Sequence, residues 1–475
     1  MIETEVKHNI SKICCIGAGY VGGPTMAVLA DNCKNIVITV VDTNQERINN
    51  WNSENYDDIP VFEPGLAEII KRRRNINLFF STNISKEIAS ADMIFVSVNT
   101  PTKKKGIGAG QASDLKWIEI CSRDISKYAK GHTIVVEKST VPVKTAQVIK
   151  SILNSKKNKN TFSVLSNPEF LAEGTAVNDL KNPDRILIGG EDQNAITSLR
   201  NIYLNWVGRE KIIETNIWSS ELSKLTANAF LAQRLSSINS ISALCEKTGA
   251  STNEVSKAIG ADTRIGNKFL NTGPGFGGSC FKKDILNLIY LSNYFELREV
   301  ASYWQSVIEI NEWQKDRICQ IIVDKLFGTI SGKNITILGF SFKANTNDTR
   351  ESPAIDISKN LLEEGAKLKI YDPKVNKSQI ENDLNLKEKD LFKNNEGSWE
   401  FNTSIEEALI DSDAAIFLTE WQEFCNLDWE KLSQIMRRPA WVFDTRSIVK
   451  SDDILKTDLK LWKMGEGAVN YKSIT

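Results

Sequence analysis

The run Gly275-Phe276-Gly277-Gly278-Ser279-Cys280-Phe281-Lys282-Lys283-Asp284 holds one thiol between a glycine-rich bend and a lysine–aspartate pair. Glycines at 275, 277 and 278 permit a tight backbone that can present the thiol to a ligand. A lone cysteine is more often a small buried hydrophobe than a nucleophile. Here Lys283 and Asp284 stand where they can shift its thiolate fraction or the protonation of a nearby alcohol. Far upstream, Gly17-Ala18-Gly19-Tyr20-Val21-Gly22 follows a strand-like run and opens a helix. The glycines allow a tight turn and close backbone approach, so a pyrophosphate can sit at the helix start. Asp42 ends the next strand, 20 residues beyond Gly22. A carboxylate there bonds the adenosine ribose and repels a 2′-phosphate, which favours NAD over NADP. A hydride acceptor and a nucleophilic thiol together can oxidise an alcohol past the aldehyde to an acid. The thiol captures the carbonyl between two hydride transfers.

Lys224 and Asn228 lie four apart, hence on one face of a helix. An ammonium and a carboxamide so placed can stabilise an oxyanion on a tetrahedral intermediate. The plainer reading is an exposed Glu221–Lys224 surface pair. Lys343 and Arg446 each sit just past a strand, on the side where α/β sheets bind ligands. They suit a diphosphate or carboxylate, or are solvent-facing cations. Arg47 either reaches the adenine or pyrophosphate or is an exposed helix arginine.

The elements that must position these groups alternate. Strand-like runs at Ile13–Ile16, Val37–Val41, Met93–Val98, Thr133–Glu137, Phe162–Ser166, Ile186–Ile188 and Lys211–Ile213 are apolar and mostly β-branched. That pattern suits strands buried on both faces of a parallel sheet. Helical stretches such as Leu115–Ala129 and Val143–Leu153 separate them, giving βαβ units. From Ser219 to Lys247 the chain has no Gly or Pro and keeps three- and four-residue apolar spacing up to Gly249. This predicts a helix of roughly 40 Å, a length that joins domains or forms a subunit interface. A second βαβ series follows: strand Asn334–Leu338, helix Pro353–Glu364, and strands Leu368–Tyr371, Ala414–Leu418 and Trp441–Phe443. Lys374–Trp399 is polar and Asn/Lys-rich and reads as a surface excursion. The fold class expected is α/β: two Rossmann-like doubly wound domains, 1–218 and 330–475, joined by a helical region, 219–329.

Composition narrows the function. A chain of 475 residues exceeds one ordinary core. Its 59 Lys+Arg against 60 Asp+Glu argue against nucleic acid or an anionic membrane as main partner. No apolar run approaches the ~20 residues of a membrane span, and the start MIETEVKHNISK lacks a signal-peptide core. Eight scattered cysteines without a C-x-x-C pair fit reduced thiols in cytoplasm, with no zinc site expected. With two histidines only, His8 and His132, the chemistry falls to Cys, Lys, Asp, Glu, Asn and Thr, and no metal is expected.

On these and further motifs the chain closely resembles the nucleotide-sugar dehydrogenases, above all their animal-type branch that oxidises UDP-glucose. The runs are Gly17–Gly22, VSVNTPT (96–102), EKSTVPV (137–143), NPEFLAEG (167–174), SSELSKL.ANAFLAQR (219–234), RIG.KFL (264–270), GFGGSCF.KD (275–284), ILGF.FK (337–343), DTRES (348–352), IYDPKV (370–375) and TEW (419–421). They occur in order along nearly the whole chain. The resemblance implies that the N-terminal domain holds NAD and the C-terminal one the UDP-sugar, with UDP-glucose oxidised by two NAD⁺ to UDP-glucuronate. It implies that Cys280 is the nucleophile, forming first a thiohemiacetal and then a thioester. Lys224 would stabilise the oxyanion with Asn228, Asp284 would share proton transfer with Lys224 and a water, and Thr140 and Glu169 would position the hydrolytic water.

Cofactor positions implied in the same way are Gly17, Gly19, Tyr20, Val21, Gly22, Asp42, Arg47, Val98, Thr100, Ser139, Thr140, Glu173, Lys283 and Arg350. Substrate positions are Phe170, Leu171, Lys224, Asn228, Phe269, Phe276, Gly277, Phe342, Lys343 and Arg446, with Arg264 donated by a neighbouring subunit. The dimer would then be the smallest complete unit of a homo-oligomer, and a hexamer, a trimer of dimers, is expected. The alternative is a sister enzyme acting on UDP-N-acetylmannosamine or GDP-mannose. Two departures stand out: residues 271–274 are Asn-Thr-Gly-Pro where the animal pattern has Lys-Ala-Ser-Val, and Lys282 replaces a glutamine. The first puts the sugar fit and feedback inhibition by UDP-xylose in question.

Overall fold

The computed structural model describes residues 10–155 and 160–469; the terminal run MIETEVKHN lies outside them. The first sheet comprises β1 (Lys12–Ile16), β2 (Val37–Val41), β3 (Leu78–Ser81), β4 (Met93–Val96), β5 (His132–Glu137), β6 (Thr161–Ser166), β7 (Ile186–Gly189) and β8 (Ile212–Thr215), in the order β3-β2-β1-β4-β5-β6-β7-β8. Neighbours run parallel except β6 and β7, which meet antiparallel at Ser166 and Gly189. β1 shows why its residues make a central strand. Ile13 and Cys15 enter the buried cluster on one face, Cys14 and Ile16 the cluster on the other. A run apolar at every position has no face to give to water.

The second sheet comprises β9 (Asn334–Leu338), β10 (Lys367–Tyr371), β11 (Ser398–Phe401), β12 (Ala414–Phe417), β13 (Trp441–Asp444), β14 (Lys460–Lys463) and β15 (Gly467–Ala468), ordered β11-β10-β9-β12-β13-β14-β15. Among the described residues of this sheet, only the terminal β14–β15 pair is antiparallel. The first six strands of each sheet follow the doubly wound order 3-2-1-4-5-6, whose reversal leaves a crevice at the carboxyl ends of β1 and β4, or β9 and β12.

The expected excursion Lys374–Trp399 is in fact a crossover. A helix at Lys377–Leu384, closed by an Asn376–Gln379 capping box, leads to β11 on the sheet edge. Ile380, Leu384 and Trp399 are buried in the second core. Three large side chains in a polar stretch are enough to seat it. β3 is not among the expected strands, because its four residues carry only Leu78 and Phe80 inward.

The long helix runs Ile217–Thr248. The described residues fall into two compact units: the chain up to Ala227 with Leu286–Phe295, and Asn228–Ile285 with the chain from Glu296.

Candidate active site

In the N-terminal unit the glycine turn is built by exclusion. Gly17 has φ +110°, and a Cβ on it would lie 2.4 Å from Ser97 O. One on Gly22 would lie 2.0 Å from Gly17 O, whereas Gly19 faces open space, leaving that side to a ligand. The helix Gly22–Asn32 begins at Tyr20-Val21 with no side chain capping it, so its first N–H groups suit a pyrophosphate. Asp42 Oδ2 accepts the Ala18 N–H at 3.0 Å and pairs with Arg47 at 3.1 Å. Arg47 is therefore a partner of Asp42, part-exposed, and the turn and the ribose-binding carboxylate are tied together. Ser139 Oγ donates to Val98 O (2.8 Å) and Thr100 Oγ1 to Thr140 O (2.6 Å), joining the two runs past β4 and β5. The residues thus fit NAD.

The same unit gathers Glu169, Thr140 and Lys224. Lys224 Nζ lies 3.2 Å from Glu169 Oε1, which also accepts from Thr140 Oγ1 at 3.3 Å. Both charged side chains are buried, 5% and 7% exposed. Lys224 Nζ also stands 5.5 Å from the Phe170 ring centre, over which Arg185 lies at 3.8 Å. The expected surface pair Glu221–Lys224 is not formed as such. Glu221 is 2% exposed and accepts the Lys144 and Ala146 N–H groups, both at 2.7 Å, at the start of the helix Thr145–Leu153. Burial pushes its carboxyl up to about 7. Beneath the site Lys138 donates to Asn167 Oδ1 (3.1 Å) and Tyr203 OH (3.4 Å), and burial pulls its ammonium down to about 8. Burial likewise raises the neighbouring Glu137 carboxyl.

Glu63, passed over in the sequence, holds the loop that carries Glu169, Phe170, Leu171 and Glu173. Its buried carboxylate accepts the Gly174 N–H at 2.7 Å and the Ala176 N–H at 2.9 Å. Trp51, also unforeseen, donates from Nε1 to Ala18 O at 3.0 Å, and its ring fills the space a Cβ on Gly23 would need. Neither has a local signal, since each hydrogen-bond partner is more than thirty residues away.

In the C-terminal unit Cys280 directly precedes the helix Phe281–Tyr294, where the first N–H groups favour negative charge. Its Sγ lies 3.6 Å from Ser279 Oγ. One turn on, Asp284 is 1% exposed, accepts from Asn228 Nδ2 at 2.6 Å and lies 3.4 Å from Lys283 Nζ. The structure thus brings thiol, carboxylate, carboxamide and ammonium to one helix start. Gly277 is forced by close approach, since a Cβ there would lie 2.5 Å from Glu351 O and 2.9 Å from the Phe342 side chain. Arg446 donates to Leu418 O (2.9 Å) and Phe342 O (3.3 Å), and Lys343 lies 5.6 Å from the Phe342 ring centre. Phe269 and Phe276 are bridged by Phe281, at 6.4 and 6.0 Å between ring centres. Phe269 has φ +60°, a strained conformation for a bulky residue.

The Arg350 C=O accepts the Gly278 N–H at 2.8 Å, beside the Cys280 loop, whereas Arg264 is not gathered with these groups. Arg350 forks onto Asp348, and Arg264, 87% exposed, forks onto Asp262. The Arg264 loop is pinned by Arg234, which donates to Ile265 O, Gly266 O and Lys268 O at 2.8–3.0 Å. Lys282 reaches Glu351 at 3.0 Å and Glu312 at 3.4 Å, so the departure from glutamine adds a cation between two carboxylates.

Residues 11–207, 218–313 and 336–451 match, in turn, the NAD binding, central and UDP binding domains of the UDP-glucose/GDP-mannose dehydrogenase family. The chain is 55% identical to UDP-glucose 6-dehydrogenase of Gallus gallus over 453 residues, 94% of this chain and 90% of that one. It is 51% identical to UDP-glucose 6-dehydrogenase 1 of Glycine max over 476 residues, 96% and 97% of the two. Among solved structures, a UDP-glucose dehydrogenase from the archaeon Pyrobaculum islandicum superposes with a TM-score of 0.83 at 27% identity, covering 98% of this chain and 99% of that one. The two doubly wound sheets and the three matched segments leave one conclusion: the chain belongs to the UDP-glucose/GDP-mannose dehydrogenase family.

Proposed function

We propose that the protein is an NAD-dependent UDP-glucose 6-dehydrogenase, carrying out the four-electron oxidation of UDP-glucose to UDP-glucuronate. The observation that carries this reading is the buried Lys224–Glu169–Thr140 set in a chain so close to UDP-glucose 6-dehydrogenases along nearly its whole length. NAD⁺, when bound, accepts a hydride twice. The residues of the chain do the rest. Oxidation of the C6 alcohol gives an aldehyde and releases one proton, for which Asp284 and Lys224 are the acceptors through a water. The Cys280 thiolate adds to the aldehyde carbon, and the oxygen takes the charge as a thiohemiacetal alkoxide, which Lys224 and Asn228 stabilise. Loss of the second hydride leaves a thioester. Water, oriented by Thr140 and deprotonated by Glu169, breaks the carbon–sulfur bond and returns the Cys280 thiolate with the carboxylate product.

In this reading residues 1–218 bind NAD, 330–475 bind the UDP-sugar, and 219–329 serve assembly. Trp218, Leu222, Phe230, Ile241 and Leu244 are exposed apolar side chains on the long helix, which supports a dimer through this helix, and the reading takes hexamers to be trimers of such dimers. Arg264 would act in the neighbouring subunit. Among the described residues no helix is long and apolar enough to cross a membrane, and a cytoplasmic location is part of the proposal. The test is NADH formed per UDP-glucose consumed, with limiting sugar nucleotide and excess NAD⁺. A ratio of about two, with UDP-glucuronate as product, is expected from the two hydride transfers. A ratio of about one would remove Cys280 from its role, since oxidation would then stop at the aldehyde. No NADH would overturn the substrate and direct the assay to UDP-N-acetylmannosamine and GDP-mannose.

A further inference from the structure

The loop that leads to Cys280 has no strand beside it, yet its backbone is bonded as if it had one. Asn311, on the helix Arg298–Lys325, accepts the Phe276 N–H on Oδ1 at 2.7 Å and donates from Nδ2 to the Phe276 C=O at 3.3 Å. One side chain thus satisfies both backbone groups of one residue. Three positions earlier Gly273 is held the same way by two side chains. Its N–H donates to Asn239 Oδ1 at 3.0 Å and its C=O accepts from Gln314 Nε2 at 3.1 Å. All three carboxamides are essentially buried, at 2%, 2% and 0% exposure for Asn239, Asn311 and Gln314. Between the two grips Gly275 has φ +133°, and a Cβ on it would lie 3.0 Å from Asn311 Oδ1. Only glycine allows Asn311 so close without displacing it. The held residues face the site: Gly273 lies against the Arg446 guanidinium, with 3.1 Å from Nη1 to the position of a Cβ, and Phe276 packs edge-on against Phe281, next to Cys280.

Burying three carboxamides is costly unless each finds its bonds, and apolar side chains would fill the same space without that cost. Here each of the three bonds to the one loop that must present Phe276, Gly277 and Cys280, with Gln314 Oε1 in turn accepting from Arg317 at 3.2 Å. We propose that Asn311, backed by Asn239 and Gln314, is a positioning residue for the sugar-nucleotide step, setting the course of the 273–280 loop. This rests on the reading of Cys280 as nucleophile. It gives the Asn-Thr-Gly-Pro departure a physical role, since the glycine at 273 lets the held backbone lie directly on Arg446.

The test uses the full-length enzyme with Asn311→Leu, which removes both bonds, and Asn311→Asp, which keeps the volume and the acceptor but turns a second oxygen on the Phe276 C=O. Two quantities are read: KM for UDP-glucose against KM for NAD⁺, and the rate at which iodoacetamide alkylates Cys280 in the free enzyme, followed by peptide mass. The expected result is a KM for UDP-glucose raised about tenfold with that for NAD⁺ changed less than about twofold, and alkylation altered by about threefold or more. Folded variants with wild-type KM and alkylation would overturn the proposal, as would an equal rise in both KM values, which signals general loosening. Should Asn311→Leu not fold, the near-isosteric Asn311→Asp decides. Alkylation needs no turnover, so an enzyme inactive on UDP-glucose would sink the functional reading while the thiol rate still judged the clamp.

Discussion

Replacing Lys224 by methionine would take the cation away from a carboxylate that is 7% exposed and 3.2 Å distant. At that separation the attraction is about 5 kcal/mol for an effective dielectric of about 20. The net loss is smaller than this for a pair still in place, but stranding one charge in the interior typically costs about 3–5 kcal/mol. For a unit of this size that corresponds to a fall of about 10 °C in Tm. Glu169→Gln should cost less, because a carboxamide oxygen still accepts from Thr140 Oγ1 and from Lys224. The double variant Lys224→Met with Glu169→Gln strands no charge and should be more stable than Lys224→Met alone by about 2 kcal/mol or more. Turnover should be lost in all three. The assay is thermal and urea unfolding of the four proteins, with NADH formation measured on the same samples. Additive stabilities, or a Lys224→Met protein within about 1 kcal/mol of wild type, would refute the account of a desolvated pair.

Cys280→Ser should abolish UDP-glucuronate formation, since a serine hydroxyl is a far poorer nucleophile than a thiolate and its ester with the product acid releases a poorer leaving group than a thioester does; end-point product analysis reads it. Glu63→Ala strands the buried N–H groups of Gly174 and Ala176 and should cost about 3 kcal/mol in urea unfolding, with Glu63→Gln intermediate. Glu221 sets a pH dependence. Its carboxyl is raised from the ordinary 4.5 to about 7 by burial, so the unfolded chain gives up that proton first. The stabilisation it brings is whole below pH 4.5 and disappears as pH rises to about 7, a change of about 3 kcal/mol. The difference in unfolding free energy between wild type and Glu221→Gln should follow that window; a flat difference would count against the buried carboxyl. Trp51→Phe removes the bond to Ala18 O and should raise KM for NAD⁺ several-fold, by about 1 kcal/mol, with KM for UDP-glucose unchanged.

Short-range structure is legible in the sequence. The Gly17–Gly22 turn, Asp42 and the thiol of Cys280 advertise themselves because glycine conformation, strand ends and helix starts are short-range matters. So are most strands, since a run such as Ile13–Ile16 is apolar on both faces. What stayed hidden depends on partners far along the chain. Glu63 looks like any loop glutamate until Gly174 and Ala176 arrive. Glu221 and Lys224 share one side of a helix, yet they turn to different elements, one to a helix start and the other to Glu169. Asn311 sits among ordinary helix residues and declares itself only through Phe276. The polar Lys374–Trp399 segment misled for the opposite reason, because averaging over its many lysines and asparagines hides the few side chains that anchor it.

Neither compact unit is one continuous length of chain, because Leu286–Phe295 belongs with the N-terminal residues. That short stretch brings Ile289 into the interior and Asn287 onto Ser113, and its Tyr290 ring stands where a Cβ on Gly108 would be. During synthesis, then, the first unit is not complete when its own sheet has left the ribosome. It must wait for a piece made almost sixty residues after Ala227. The part carrying Asn228 and Cys280 emerges during that wait, before any strand of its own sheet exists. No single cut between Ala227 and Leu286 yields two whole halves, so a gene split there would encode at least one fragment that must borrow from the other.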